Sequence, residues 1–404
     1  MTDIRVRITE QDEQTLFTGK ELSLGNLSLT TPCKLLDLNN PPPLSAIELL
    51  DQQHLRTVPI VERSRFIHQE TYTREANHPD AKFLADSYDA LKRVSVLRDK
   101  LVVNSLTLSF NPFNVPDSEE YLRSILHIYH GRSDLLLIPN LKVRRFDERQ
   151  HPEIQVQPEE FTRYVDMAHQ ILDFRNSKPI FVPVPSKYGL KTFRAFVSDF
   201  VSKGYRNFWI DFEGSGITSR TSHIRSFHEI VDSEGLENEV VLYASNVRRE
   251  NNPHMTDLRS AASDILTAPL GVDIIGVNRE PQRGGGGPSQ PPNKEMWINH
   301  KARFLDRDDY SYVKYSGYPR SRELFDKYHV NEALIRLNPK FYANFVNTFE
   351  INEELIRHQT IIAENGSLLG YLGTKSSINP KLMKAFEKPF SRDTQSQQSL
   401  DRFF

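Results

Sequence analysis

Short apolar runs alternate with amphipathic segments through the middle of the chain, and nothing else in the sequence limits its fold so tightly. Phe161, Val165, Ala168 and Leu172 mark one helix face, and PIFVPVP (179–185) follows as a strand. Phe193, Phe196 and Phe200 mark the next helix, closed by Gly204, and NFWIDFEG (207–214) is again a strand. His223 to Val231 reads as helix, VVLYASN (240–246) as strand, Ser260 to Thr267 as a short helix, and Ile274 to Val277 as strand. Strands and helices in this order predict a mostly parallel sheet with helical crossovers. Upstream, strands are expected at Lys34–Leu38, near 101–110 and at DLLLIPN. Helices are expected at about 81–92 and from an N-cap at Ser118 to a stop at Gly131. About seven or eight such units predict a (β/α)8 TIM-like barrel; an open doubly wound sheet is the alternative, though no Gly-x-Gly-x-x-Gly follows a strand.

The predicted organisation is a barrel over 1–317, a helical extension over 318–387, and a flexible polar tail over 388–404. In the extension, Phe345, Phe349 and Ile356 suggest one helix face, Asn365-Gly366 a stop, and Asn379-Pro380 the start of a last helix. Residues 44–80 and 288–318 show no clear period.

Charge and cysteine content narrow the chemistry. A formal net charge of −2 supplies no global basic field, so any nucleic-acid contact must use a local patch. LKVRR (141–145), NVRRENN (246–252) and YPRSRE (318–323) are such clusters, or else solvated surface. The one cysteine, Cys33, leaves no internal disulfide and no zinc site of several thiolates, so no metal or cofactor is expected. No apolar leader or bilayer-length run is present, which predicts a cytoplasmic protein without a membrane partner.

Ligands of a parallel barrel meet the C-terminal ends of its strands. Those ends carry Asn39, Asn104, Asn140, Asp211, Glu213, Ser245, Asn246, Asn278 and Arg279. Asp211 and Glu213 lie two apart on one strand and therefore on one face. They read as an acid/base or nucleophile pair, or as a salt-bridged structural pair. The amides suit recognition of a polar ring edge. The stretch GVDIIGVNREPQRGGGG opens from a strand into a glycine-rich loop, either a mobile cover for the site or plain surface.

Four stretches carry a family resemblance: GNLSLTTPCKLLDLNN, PIFVPVPSKYGLKTFRAFVSDFVSKGYRNFWIDFEG, GVDIIGVNREPQRGGGG, and FEINEELIRHQTIIAENGSLLGYLGTKSSINPKLMKAF. In order and content they resemble the tRNA-guanine transglycosylase superfamily, particularly its archaeal branch and its DNA-directed 7-deazaguanine relatives. The resemblance implies a barrel that exchanges a guanine base through a covalent link to an aspartate. This chain departs from that pattern. The ungapped match puts Gly276 at the nucleophile position, Asp273 falls at a strand start, the second aspartate has no clear counterpart, and the family zinc site is missing its cysteines. Either the chemistry has moved to Asp211 and Glu213, with Arg279 and Arg283 holding phosphate, or the scaffold binds without turnover, as a homodimer or beside a catalytic paralogue.

The last residues, QQSLDRFF, resemble the sliding-clamp interaction motif. One tight helical turn would bring Leu400, Phe403 and Phe404 onto one face, with Gln397 in a separate polar site. The bland reading is a frayed terminus. The motif implies a replication or repair clamp as partner and DNA close by, with tRNA as the other nucleic-acid option.

Overall fold

The computed structural model describes residues 4–25, 27–39, 58–69, 72, 100–109, 119–146, 153–174, 178–247, 258–278, 294–318 and 321–388. The expected helix at 81–92, Ser118, Arg279, Arg283 and the motif at 397–404 lie outside these residues.

An antiparallel three-stranded sheet opens the chain: β1 (Arg5–Gln11), β2 (Thr18–Leu24) and β3 (Leu27–Thr31). The chain then enters two parallel sheets. The six-stranded one runs β4 (Cys33–Lys34), β16 (Ile274–Ile275), β14 (Val241–Ser245), β13 (Asn207–Asp211), β12 (Ile180–Pro183), β8 (Leu136–Leu137). The four-stranded one runs β5 (Leu36–Asp37), β6 (Ile60–His68), β7 (Leu101–Ser109), β9 (Asn140–Leu141). A short antiparallel pair, β10 (Arg144–Phe146) and β11 (Glu153–Gln155), follows β9, and helices α1 (Glu119–Arg132), α2 (Pro158–Asp173), α3 (Leu190–Ser202) and α4 (Thr221–Ser233) connect successive strands of the parallel sheets. The result is an α/β fold of parallel sheets with interspersed helices.

β12, β13 and β14 are largely apolar because both of their faces are buried, as expected where helices cover a parallel sheet. On β13, Phe208 and Ile210 join the core under the helices, while Trp209 joins a second core with Phe181, Tyr243, Leu35 and Val103. Ile4, Leu22 and Leu29 of the first sheet pack into that second core. Lys20 on β2 bonds Asp273 and the Val240 carbonyl, tying this sheet to the start of β16.

Several local expectations need correction. Ser260 to Thr267 is not one helix: Arg259–Ala261 is β15, followed by a 3-10 turn over Ile265–Leu270. β15 pairs antiparallel with β18 (Ser311–Lys314), and β18 with β17 (Arg303–Asp306), so tertiary pairing overrides local pattern. Gly131 lies inside α1 rather than ending it. The 207–214 strand stops at Asp211, because Glu213 and Gly214 both take positive φ.

Past 320 the described residues are helical, as expected: α6 (Ser321–Tyr328), α7 (Glu332–Leu337), α8 (Pro339–Asn365), α9 (Leu369–Leu372) and α10 (Pro380–Phe386). They follow α5 (Lys294–Lys301). Gly366 at φ 74 ends α8, and the Asn379 side chain caps α10 at the Leu382 N–H. Phe345 and Phe349 are buried, but Ile356 is 61% exposed and does not share their face. Asn352 on α8 bonds both backbone groups of Lys34, docking the long helix along β4.

Candidate functional site

Asp211 ends β13 and is only 3% exposed. Its Oδ1 accepts the Glu213 backbone N–H at 2.7 Å, and its Oδ2 accepts the Thr107 hydroxyl at 3.2 Å. The register sets Phe66, Thr107 and Asn140 side by side on β6, β7 and β9, and Asp211 beside Ser245 on β13 and β14. Side chains opposite one another on parallel strands share a face. Asp211 and Ser245 are therefore adjacent on one sheet, Thr107 and Asn140 on the other, and the Thr107–Asp211 hydrogen bond links the two pairs. Ser245 also accepts the Trp209 indole N–H at 3.1 Å.

Glu213 sits one turn beyond the strand. Burial and the neighbouring Asp211 charge push its carboxyl up to about 7, against the pull of Lys187, Lys142 and Arg220. Its Oε1 is buried and has no hydrogen-bond partner among the described residues. Lys187 bonds the Ser215 hydroxyl at 2.8 Å, and Arg220 reaches the same hydroxyl at 3.3 Å. The Lys142 ammonium lies 5.9 Å from the centre of the Phe66 ring. A carboxyl that titrates near neutrality can both give and take a proton at pH 7.

The other amides do different work. Asn104 turns away, bonding Ser133 and the Arg132 carbonyl at the end of α1. Asn39 accepts the Ser64 N–H and so joins β5 to β6. Asn278 accepts the Val247 N–H at 3.0 Å and donates to Asp264 at 3.1 Å. Asp264 also accepts Tyr312 and pairs with Lys34, so Asn278 is a bracket between the end of β14 and the Asp264 corner. Asn246 holds φ 63 and passes its carbonyl to the Gly214 N–H.

Sequence reading missed Glu62, which is fully buried below this layer. It accepts the Ser105 hydroxyl at 2.5 Å, the Val277 N–H at 2.8 Å and the Tyr243 hydroxyl. Burial raises its carboxyl above the usual range. It lies in the stretch 44–80 that shows no period, because charges at 62, 63 and 65 fall on both faces of β6. Lys142 carried a signal as part of LKVRR, whereas Lys187 and Arg220 carried none. Among the described residues no cluster of three or more His, Cys, Asp or Glu could hold a metal, and no helix is long and apolar enough to cross a membrane. No family model matches the chain, and no curated protein does either.

Proposed function

We propose that the chain is a transglycosylase-like barrel acting on a base within a nucleic acid, DNA in the first place, with Glu213 and Asp211 at its reacting centre. Closure into a barrel is supported by two shared edges. Cys33–Asp37 pairs with β16 at its start and β6 at its end, and 136–141 pairs with β12 and then β7. Eight strand positions then lie in a ring, and Asp211, Ser245 and Asn140 fall at its C-terminal rim, where such barrels do chemistry.

The observation that carries the reading is Glu213: a buried, unpartnered carboxyl oxygen on a group titrating at about 7, two residues from a second carboxylate. Breaking a base–sugar bond requires a proton for the departing base and negative charge facing the sugar carbon. Glu213 supplies the proton and Asp211 the charge. The incoming base returns its proton to Glu213 as the new bond forms. Arg279 and Arg283, which follow Asn278 in the sequence, would hold phosphate, and the clamp motif at 397–404 would bring the protein to replicated or repaired DNA.

A second reading is a noncatalytic DNA- or clamp-binding protein on the same scaffold. The observation favouring it is that both Asp211 oxygens already accept hydrogen bonds, from Thr107 and from the Glu213 N–H. Incorporation of labelled guanine or 7-deazaguanine into DNA and into tRNA decides between them. Exchange by wild type that is lost in Asp211→Asn and Glu213→Gln supports the first reading. Absent exchange with DNA binding intact supports the second.

A further inference from the structure

Glu213 and Gly214 both hold positive φ, 49 and 70, just past the end of β13. Glycine takes that conformation freely, whereas a glutamate there is strained. Three consecutive amides fix the turn. The Glu213 N–H donates to Asp211 Oδ1 at 2.7 Å, the Gly214 N–H to the Asn246 carbonyl at 3.0 Å, and the Ser215 N–H to the Phe212 carbonyl at 2.8 Å. Two of these acceptors belong to the turn's own segment, and the Asn246 carbonyl comes from the end of the neighbouring strand, β14. Asn246 is itself left-handed, at φ 63. Its N–H donates to the Val277 carbonyl at 2.9 Å, and the next amide, that of Val247, donates to Asn278 Oδ1 at 3.0 Å. Asparagine is among the few residues other than glycine that take this conformation readily. The direction of the Asn246 carbonyl follows from that residue's own dihedrals, so its left-handed state decides whether Gly214 meets its acceptor. Strained residues persist where their surroundings hold them, and they gather at functional sites. Here the strain falls on the residue whose buried Oε1 has no hydrogen-bond partner among the described residues. A glycine at 213 would relax the turn and lose the carboxyl.

We propose that Asn246 is a positioning residue of this site, acting through its left-handed backbone rather than its amide: it holds the Gly214 N–H and so keeps the Glu213 carboxyl in the buried corner beside Asp211. The proton that Glu213 delivers rests on the function proposed above; the coupling of Asn246 to Glu213 stands on this geometry alone. The charged groups facing Glu213 are Asp211, Lys142, Lys187 and Arg220. Burial and the Asp211 charge hold its carboxyl up at about 7, and the three cations pull the other way. Relaxing the turn weakens both raising influences, and the carboxyl returns toward its ordinary 4.5. It is then ionised at pH 7 and has no proton to give. The sign follows: losing the left-handed state at 246 lowers the Glu213 value and removes the fall in stability, as pH rises, that a raised carboxyl produces.

The test compares Asn246→Gly, Asn246→Ala and Asn246→Val. Glycine keeps the backbone conformation and removes the amide, alanine resists positive φ, and valine resists it most. Urea midpoints at pH 5 and pH 8, with Glu213→Gln as the reference lacking the carboxyl, report on Glu213 without needing any activity. Asn246→Gly should keep most of the wild-type difference between the two pH values. Asn246→Val should lose most of it, and Asn246→Ala should fall between. Base exchange should follow the same order, with kcat in Asn246→Val down roughly tenfold or more and KM little changed. An equal drop in midpoint at both pH values is what a merely structural role gives, and it overturns the proposal. So does a loss in Asn246→Gly as large as in Asn246→Ala, which assigns the role to the amide. Should Asn246→Val fail to fold, the comparison of glycine with alanine decides. A graded pH difference in a protein that exchanges no base would sink the function proposed above and leave the positioning standing. Exchange and pH difference alike in all three variants would do the reverse.

Discussion

The Tyr243 hydroxyl occupies the space that a side chain on residue 276 would need: a Cβ built on Gly276 would lie 2.5 Å from it and 2.7 Å from two ring carbons. The position that the family resemblance assigns to a nucleophilic aspartate is filled by an aromatic ring. Tyr243 is in turn fixed by its bond to Glu62 and by edge-on contacts with Phe181 and Trp209. Moving the ring would disturb all three.

Gly276→Ala should therefore destabilise the protein by about 1–3 kcal/mol through overpacking, and Gly276→Asp by more, with no gain of exchange activity. In a Tyr243→Leu background the cost of Gly276→Ala should largely vanish. Urea unfolding of the four proteins in that cycle measures the coupling. Additive losses would mean that the ring and the glycine do not compete for space.

Glu213 should leave a mark on stability as a function of pH. Its folded value of about 7 stands above the ordinary 4.5. Between these values the folded state binds more protons than the unfolded one, so stability falls as pH rises across that window and is flat above it. The loss should be roughly 2–3 kcal/mol, discounted because the side chain is partly exposed. Glu213→Gln should abolish this slope and be more stable than wild type at pH 8. Urea midpoints at pH 5, 6, 7 and 8 check it.

Removing the Glu62 carboxylate should be among the costliest single changes. Glu62→Ala strands the Ser105 hydroxyl, the Tyr243 hydroxyl and the Val277 N–H, each buried. The expected loss is at least ~3 kcal/mol, and Tyr243→Phe should lose about 2 kcal/mol. The double variant should lose less than the sum, because the two share one hydrogen bond. Calorimetric melts of the three variants give the comparison.

What the sequence made legible follows from what is local. Asn365-Gly366 and Asn379-Pro380 act within one turn of their own backbone, and both termini fall where those pairs predict. The strand cores of Phe208, Trp209 and Ile210 were visible because burial on both faces leaves no room for polar residues. β15 was not visible, since its partner β18 lies about fifty residues on and three residues carry no period. The site was half legible. Asp211 and Glu213 are neighbours in sequence, but the link from Asp211 to Thr107 spans 104 residues. Asn104 looked like Asn140 in sequence, and only the one-residue phase along β7 turned it toward Ser133. Nothing within 44–80 marked Glu62, whose three partners come from β7, β14 and the end of β16.

Deleting residues 397–404 should abolish binding to a sliding clamp and leave the fold untouched. The chain is fastened upstream of the deletion. The Lys388 N–H donates to the Gln14 carbonyl at 2.7 Å, its ammonium donates to the Asp12 carbonyl at 2.6 Å, and Glu387 bridges to Thr15. The Asp12 carboxylate holds the same corner through the Gln14, Thr15 and Leu368 N–H groups. These contacts join the end of the helical region to the β1–β2 turn, so melting temperature should be unchanged by the truncation. A Leu400→Ala, Phe403→Ala, Phe404→Ala triple variant should match the deletion in a clamp pull-down or titration, because the proposed motif would bind through those three apolar side chains. Gln397→Ala should weaken binding less, since it loses one polar contact rather than the buried face. Clamp affinity that survives the deletion would leave the terminal phenylalanines without a role and remove the reason for placing the protein at replicating or repaired DNA.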